Sequence, residues 1–298
     1  MNTNNKKLNE QGVSLWLDNI TRKILNDGTL KKYISELSIT GLTSNPTIFD
    51  NAISKSSDYD GAIRKLGNLL SDEELFFELA VEDIQRAADL FKPVYDRTNG
   101  VDGFVSIEVS PTLAYDTQST IEAAKAIYKK VNRPNAFIKI PGTPEGLPAI
   151  EQAIAEGIPV NVTLLFSADQ YLTAAEAWLR GIEARVKKGL NPDVRSVASV
   201  FVSRWDKAVS EQVSDGLKNK LGLATSQKTY EAYLQFLQSN RVQKAMNQGV
   251  SPQRLLWAST GAKDPAVADV IYIENLVSPF TVNTMPAKTF LAFNNNGT

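Results

Sequence analysis

Eight short apolar runs recur along the chain, and each is followed by a stretch too long to be a turn. SLWLD (14–18), ITGLTS (39–44), GFVSIEV (103–109), AFIKI (136–140), PVNVTLLF (159–166), VASVFVS (197–203), RLLWAS (254–259) and TVNT (281–284) have the length and the β-branched content of strands. Segments of helical period lie between them, several with start signals. Ser71-x-x-Glu74 opens one that carries Leu75, Leu79 and Ile84 and is expected to end before Pro93. Ser119-x-x-Glu122 opens another with Ile121, Ala124, Tyr128 and Val131, and Ser167-x-x-Gln170 a third, closed by Gly189. In such a capping box the serine oxygen and the residue three along satisfy amides that the first turn leaves unpaired. Strands alternating with helices pair in parallel, and eight such units close most economically into an α/β fold, a (βα)8 TIM barrel, with residues 1–298 as one domain. A doubly wound sheet is the alternative, but no G-x-G-x-x-G follows any strand. After TVNT only PAKTFLAFNNNGT remains, enough for about two helical turns, so the last βα unit is expected to be truncated.

Composition narrows the chemistry. There is no histidine and no cysteine, which removes histidine-based triads, thiol nucleophiles, disulfides and Cys/His zinc sites together. Catalysis must use Lys, Asp, Glu, Ser, Thr, Tyr or a carboxylate-bound metal. The 32 basic and 33 acidic residues are spread along the chain, giving a net charge of −1 and no electrostatic footprint for nucleic acid or an anionic membrane. MNTNNKKLNEQG has no apolar signal core, and no later run is long enough to span a bilayer. A cytoplasmic protein with neither nucleic-acid nor membrane partners is expected. Asn19 and Asn161 head N-x-T triplets, but without a secretory signal they are not expected to be glycosylated.

Barrel enzymes place their chemistry at the C-terminal ends of the strands. Those positions here hold Asp18, Ser44 with Asn45, Glu108, Lys139, Asn161 with Thr163, Ser199 with Arg204, Ser259 and Asn283. Lys139 is the sharpest. Along AFIKI, Ile138 and Ile140 share one side and Phe137 and Lys139 the other, so isoleucines against the helices put Lys139 in the lumen. Burial favours the neutral amine, the form that attacks a carbonyl to make a Schiff base. The other reading is a structural lysine paired to a carboxylate across the lumen. Asp18 fits an acid–base group or the N-cap of a helix starting near Asn19. Glu108 fits proton transfer or an ion pair with Lys139. Asn45 fits a turn before Pro46. Asn161 and Thr163 share one face of an otherwise aliphatic strand, while Arg204, Ser259 and Lys263 together could hold a phosphate dianion.

The stretches SLWLDNI, GLTSNPTIF, VSIEVSP, FIKIPGTPEGLPAI, VNVTLLFS, SVASVFVSRWD, LLWASTGAKDP and TVNTMP, in order from residue 14 to 286, resemble the transaldolase family, its longer bacterial branch above all. The resemblance implies a barrel with the Schiff-base lysine on the fourth strand, no metal and no organic cofactor. It implies transfer of a dihydroxyacetone unit from sedoheptulose 7-phosphate to glyceraldehyde 3-phosphate in the pentose phosphate pathway, giving erythrose 4-phosphate and fructose 6-phosphate. Carried onto this sequence, Lys139 forms the imine and Asp18 exchanges the C4 hydroxyl proton. Glu108, through a water with Thr163, shuttles protons. Asn45, Asn161, Ser199 and Phe201 line the pocket, and Arg204 and Ser259 bind phosphate. Some relatives carry an arginine soon after that serine; Thr260 and Gly261 stand here, and Lys263 is the candidate replacement. Sugar phosphates are the expected partners, with a homodimer as the candidate assembly. Relatives also tend to carry a His-Gly pair near the end, where this chain reads NNNG, and continue into further helices, so a fragment, a fusion or a form completed by a partner is entertained. Competing readings are a fructose-6-phosphate aldolase-type class I aldolase and a non-catalytic sugar-phosphate-binding relative.

Overall fold

A computed structural model of the chain describes residues 4–297. Eight strands, β1 (Val13–Asp18), β2 (Ile39–Thr43), β3 (Val105–Glu108), β4 (Ala136–Pro141), β5 (Val160–Leu165), β6 (Ser196–Phe201), β7 (Arg254–Ala258) and β8 (Thr281–Met285), pair in parallel and close in sequence order into a barrel. Each expected strand is present, with its ends moved by two residues or fewer. Helices return the chain between strands, the longest being Asp72–Arg97, Thr117–Val131, Ala168–Lys187 and Leu221–Leu237. Among the described residues no helix is long and apolar enough to cross a membrane.

The strand alternation sorts side chains as the period of two requires. Ile138, Ile140, Val160 and Val162 face outward, in one apolar cluster with Ile150, Ile154, Trp178 and Ile182 of the helical layer. Inward residues form three levels. At the N-terminal end of the barrel the buried Asp102 accepts from Ser14 Oγ and from Trp16 Nε1 at 2.7 Å, with Arg254 Nη1 at 3.9 Å. Burial pushes the Asp102 carboxyl up, against the pull of Arg254 and those two donors. Above it lies a separate apolar level of Trp16, Phe104, Phe137, Val197, Leu256 and Val282, with Phe104 and Phe137 stacked at 4.1 Å. Gly41 makes room for it, since a Cβ there would stand 2.5 Å from the Trp16 indole. The third level, at the C-terminal ends, is polar.

Local departures from the expected pattern have physical causes. Ser71 caps its helix with the full reciprocal box, but the helix runs through Pro93 to Arg97. The proline forfeits one backbone bond, and buried Phe91 and Val94 on either side of it keep the last turns packed. Ser119 does not start its helix; Asp116, three residues earlier, caps it by accepting from Ser119 N at 3.0 Å, so Ser119 is inside Thr117–Val131. Ser167 caps Gln170 N, yet Gln170 Oε1 reaches back to Phe166 N at 2.7 Å instead of closing the box. Gly189 ends that helix with φ +66°, as expected. The helix after β8 spans ten residues, Ala287–Asn296, longer than two turns. The first described helix, Asn4–Glu10, ties to its end through Asn4 Nδ2 donating to Gly297 O at 2.6 Å.

Candidate active site

β3, β4 and β5 meet at one height, with Glu108 opposite Lys139 and Lys139 opposite Asn161. Asp18 pairs in register with Thr43 on the far side of the lumen wall. Lys139 points inward and is 6% exposed, although it sits in a strand whose neighbours are isoleucines. Its Nζ donates to Glu108 Oε2 at 2.9 Å and to the Ser44 carbonyl at 3.2 Å. The ion pair contemplated from sequence is therefore present, an amine and a carboxylate in direct contact. Ser44 is held by its own hydroxyl, which donates to the Ser106 carbonyl at 2.6 Å.

Above Lys139 opens a cavity of about 140 Å³. Its walls include Asp18, Asn45, Ser199, Phe201, Arg204, Ser259 and Lys263, seven of the residues selected from sequence, with Lys139 at its base. Asp18 does not cap a helix; Thr21 does that for Arg22–Asn26. Instead Asp18 Oδ1 accepts from Thr43 Oγ1 at 2.8 Å. Burial lifts the Asp18 carboxyl above the ordinary aspartate value, while Lys139, the Thr43 bond and Lys263 pull it back. A carboxylate so placed is a better proton acceptor than one in water. Asn45 does serve as a local cap, accepting from Ile48 N at 3.0 Å ahead of Pro46. Its amide NH₂ is the part left for a ligand.

Three selected residues lie behind the wall. Asn161 is fully buried, donating to Ser106 Oγ at 3.1 Å and accepting from Ser199 Oγ at 2.7 Å, so it fixes β3 and β6 around the lysine. Thr163 is buried with its hydroxyl unpartnered among the described residues. An unpaired hydroxyl in a polar interior is a place for an ordered water. Glu108 lies under the cavity, paired to the lysine. Asn283 is the selected strand-end residue that faces the wrong way. It is opposite Trp257 of the outer layer and accepts from Thr260 Oγ1 at 2.8 Å.

At the mouth, Arg204, Ser259 and Lys263 converge. Ser259 holds a left-handed φ of +56°, a conformation that a non-glycine residue adopts at a cost, and its hydroxyl bonds Ser203 Oγ at 2.9 Å. The Arg204 guanidinium lies 5.9 Å from the Phe201 ring centroid. Partial burial and the neighbouring Arg204 push the Lys263 amine below the ordinary lysine value, with Asp18 opposing the shift. Two cations held this close are relieved by a dianion between them.

The family model described as Transaldolase/Fructose-6-phosphate aldolase matches residues 15–298. The chain belongs to that family. Proteins named Transaldolase from Thermobifida fusca and Arthrobacter sp. are each 45% identical to it, covering 98% and 100% of this chain and 82% of their own length. One from Trichodesmium erythraeum is 44% identical over 93% of this chain and 78% of its own length. The transaldolase-type barrel and the enzyme class expected from the eight sequence blocks are thus those of its relatives. Thr43, Thr284 and Ser106 belong to the site and were not selected from sequence. Thr43 shares the inward period of Gly41, a signal that was available; Thr284 needed the register of β8.

Proposed function

We propose that this chain catalyses transaldolase chemistry through an imine on Lys139. The observation that carries the reading is the buried Lys139 amine, held by Glu108 at the base of a cavity that Asp18 also lines. Glu108 takes a proton from the Lys139 ammonium with which it pairs, and the freed amine adds to the ketose carbonyl of sedoheptulose 7-phosphate or fructose 6-phosphate. Glu108, through a water held by Thr163, protonates the departing carbinolamine hydroxyl, which leaves as water. Asp18 takes the C4 hydroxyl proton as the C3–C4 bond breaks, and its electron pair moves into the iminium to give an enamine. The aldose phosphate leaves. The enamine carbon then adds to the carbonyl of an incoming aldose phosphate, Asp18 returns the proton, and water releases the ketose and the lysine.

Asn45, Asn161, Ser199 and Phe201 are assigned to the sugar, directly or by positioning, and Arg204, Ser259 and Lys263 to the phosphate. Residues 1–298 act as one barrel domain in this reading, working in the cytoplasm on the pentose phosphate pathway. Consumption of fructose 6-phosphate is expected to depend on an acceptor aldose phosphate, falling to background without one. Release of free dihydroxyacetone at an undiminished rate in the acceptor's absence would replace transfer by simple aldol cleavage.

Lys263 gives a test of the phosphate assignment. Loss of one charge-assisted contact in Lys263→Met is expected to raise KM for sugar phosphates by about 10-fold or more. Lys263→Arg should recover most of the loss. A KM unchanged in Lys263→Met removes it from the phosphate site.

A further inference from the structure

Thr43 and Thr284 have no part in the steps above, yet both are buried, at 2% and 3% exposure, and both border the cavity. Thr43 Oγ1 lies 2.8 Å from Asp18 Oδ1 and 2.6 Å from Thr284 Oγ1. The strands that carry the two threonines do not pair; β1 lies between them in the barrel. The hydroxyl contact therefore bridges over the end of β1, where Asp18 stands.

Proton counting fixes the direction of these bonds. An ionised carboxylate only accepts, and each hydroxyl has one proton. Thr43 must spend its proton on Asp18 Oδ1, so Thr284 must donate to Thr43. Asp18 Oδ2 has no hydrogen-bond partner among the described residues and is the oxygen left for a substrate. When Asp18 becomes protonated on Oδ2, Oδ1 still accepts from Thr43. The arrangement serves both halves of the cycle without rearranging, the condition for a preorganised acid–base group.

We propose that Thr284, acting through Thr43, is a positioning residue for Asp18 that holds Oδ1 and presents Oδ2 to the substrate hydroxyl. The inference rests on the reading of Asp18 as the group that takes the C4 proton. The charges facing Asp18 are Lys139 from β4 and Lys263 from the loop after β7, with Glu108 and Arg204 beyond them. Thr43's donation favours the ionised carboxylate, and a hydroxyl that itself accepts a hydrogen bond is a stronger donor. Without Thr284's contribution Asp18 is protonated at higher pH, and cleavage, which needs it ionised, is lost sooner on acidification.

The test is the pH profile of kcat for the wild type, Thr284→Val, Thr284→Ser and Asp18→Asn, with borohydride trapping of the lysine adduct alongside. In Thr284→Val the adduct should form at wild-type yield with KM within about 2-fold, while the acid limb of kcat moves up by about half a pH unit. Thr284→Ser, which keeps the hydroxyl, should restore the wild-type limb. A Thr284→Val profile that superimposes on the wild type, with Asp18→Asn inactive, overturns the relay and leaves the Asp18 reading standing. Serine as impaired as valine, or a raised KM with an unmoved limb, overturns it in favour of packing or direct substrate contact. If Asp18→Asn keeps the wild-type acid limb, the Asp18 reading fails and the relay falls with it.

Discussion

Lys139→Met is expected to lose turnover by on the order of 10⁵-fold, the scale on which removal of a covalent nucleophile acts. Methionine has nearly the shape of the lysine stem, so the lumen stays filled and the apolar level beneath it is undisturbed. What disappears is the amine that adds to the carbonyl, and nothing near it can substitute. Lys263 is the other lysine bordering the cavity, and it stands at the mouth beside Arg204. The variant also leaves Glu108, whose side chain is 12% exposed, without its cation. Breaking a buried pair from one side typically costs about 3–5 kcal/mol. Lys139→Met should therefore unfold at lower urea, and Lys139→Met with Glu108→Gln should regain much of that stability and none of the activity. Activity that recovers in the double variant would show the loss to be one of folding.

Asp18→Asn is expected to separate imine formation from carbon–carbon cleavage. The borohydride-trapped adduct should persist, while turnover falls by about 10²–10⁴-fold for want of the proton acceptor. The same change should stabilise the protein at neutral pH. Burial raises the Asp18 pKa in the fold above its unfolded value. The stabilisation linked to that shift is complete below the unfolded pKa and is lost as pH rises through the folded one. At pH 7 the ionised carboxylate is thus a net burden that asparagine removes. Urea midpoints should be higher for Asp18→Asn than for wild type at pH 7 and converge as pH falls into the aspartate range. A variant less stable at pH 7 would mean that the attractions of Lys139 and Lys263 outweigh the cost of burial.

The barrel was legible because its eight strands are short and apolar and the period of two assigns their faces without further information. Lys139 and Glu108 were legible for the same reason, being charges where aliphatic side chains belong. Positions that depend on register between distant strands were not. Asn283 and Thr284 are adjacent, and only the pairing of β8 with β1 decides that Thr284 lies on the inward side. Asn45 caps its helix and also lines the cavity, since an N-cap uses the carbonyl oxygen of the amide and leaves its nitrogen. The polar plug of Ser14, Asp102 and Arg254 joins three segments far apart in the chain, and no local pattern marks it. Pro93 and Ser119 misled because a neighbouring buried pair and a nearby aspartate outweighed the local signal.

The central claim is that the reacting amine is Lys139. Reduction with borohydride in the presence of fructose 6-phosphate, followed by intact-mass and peptide analysis, tests it most directly. One dihydroxyacetone unit should be fixed per chain, on the peptide containing Lys139, and Lys139→Met should yield none. Folded wild-type protein that traps no adduct, or an adduct that persists in Lys139→Met, would contradict the account.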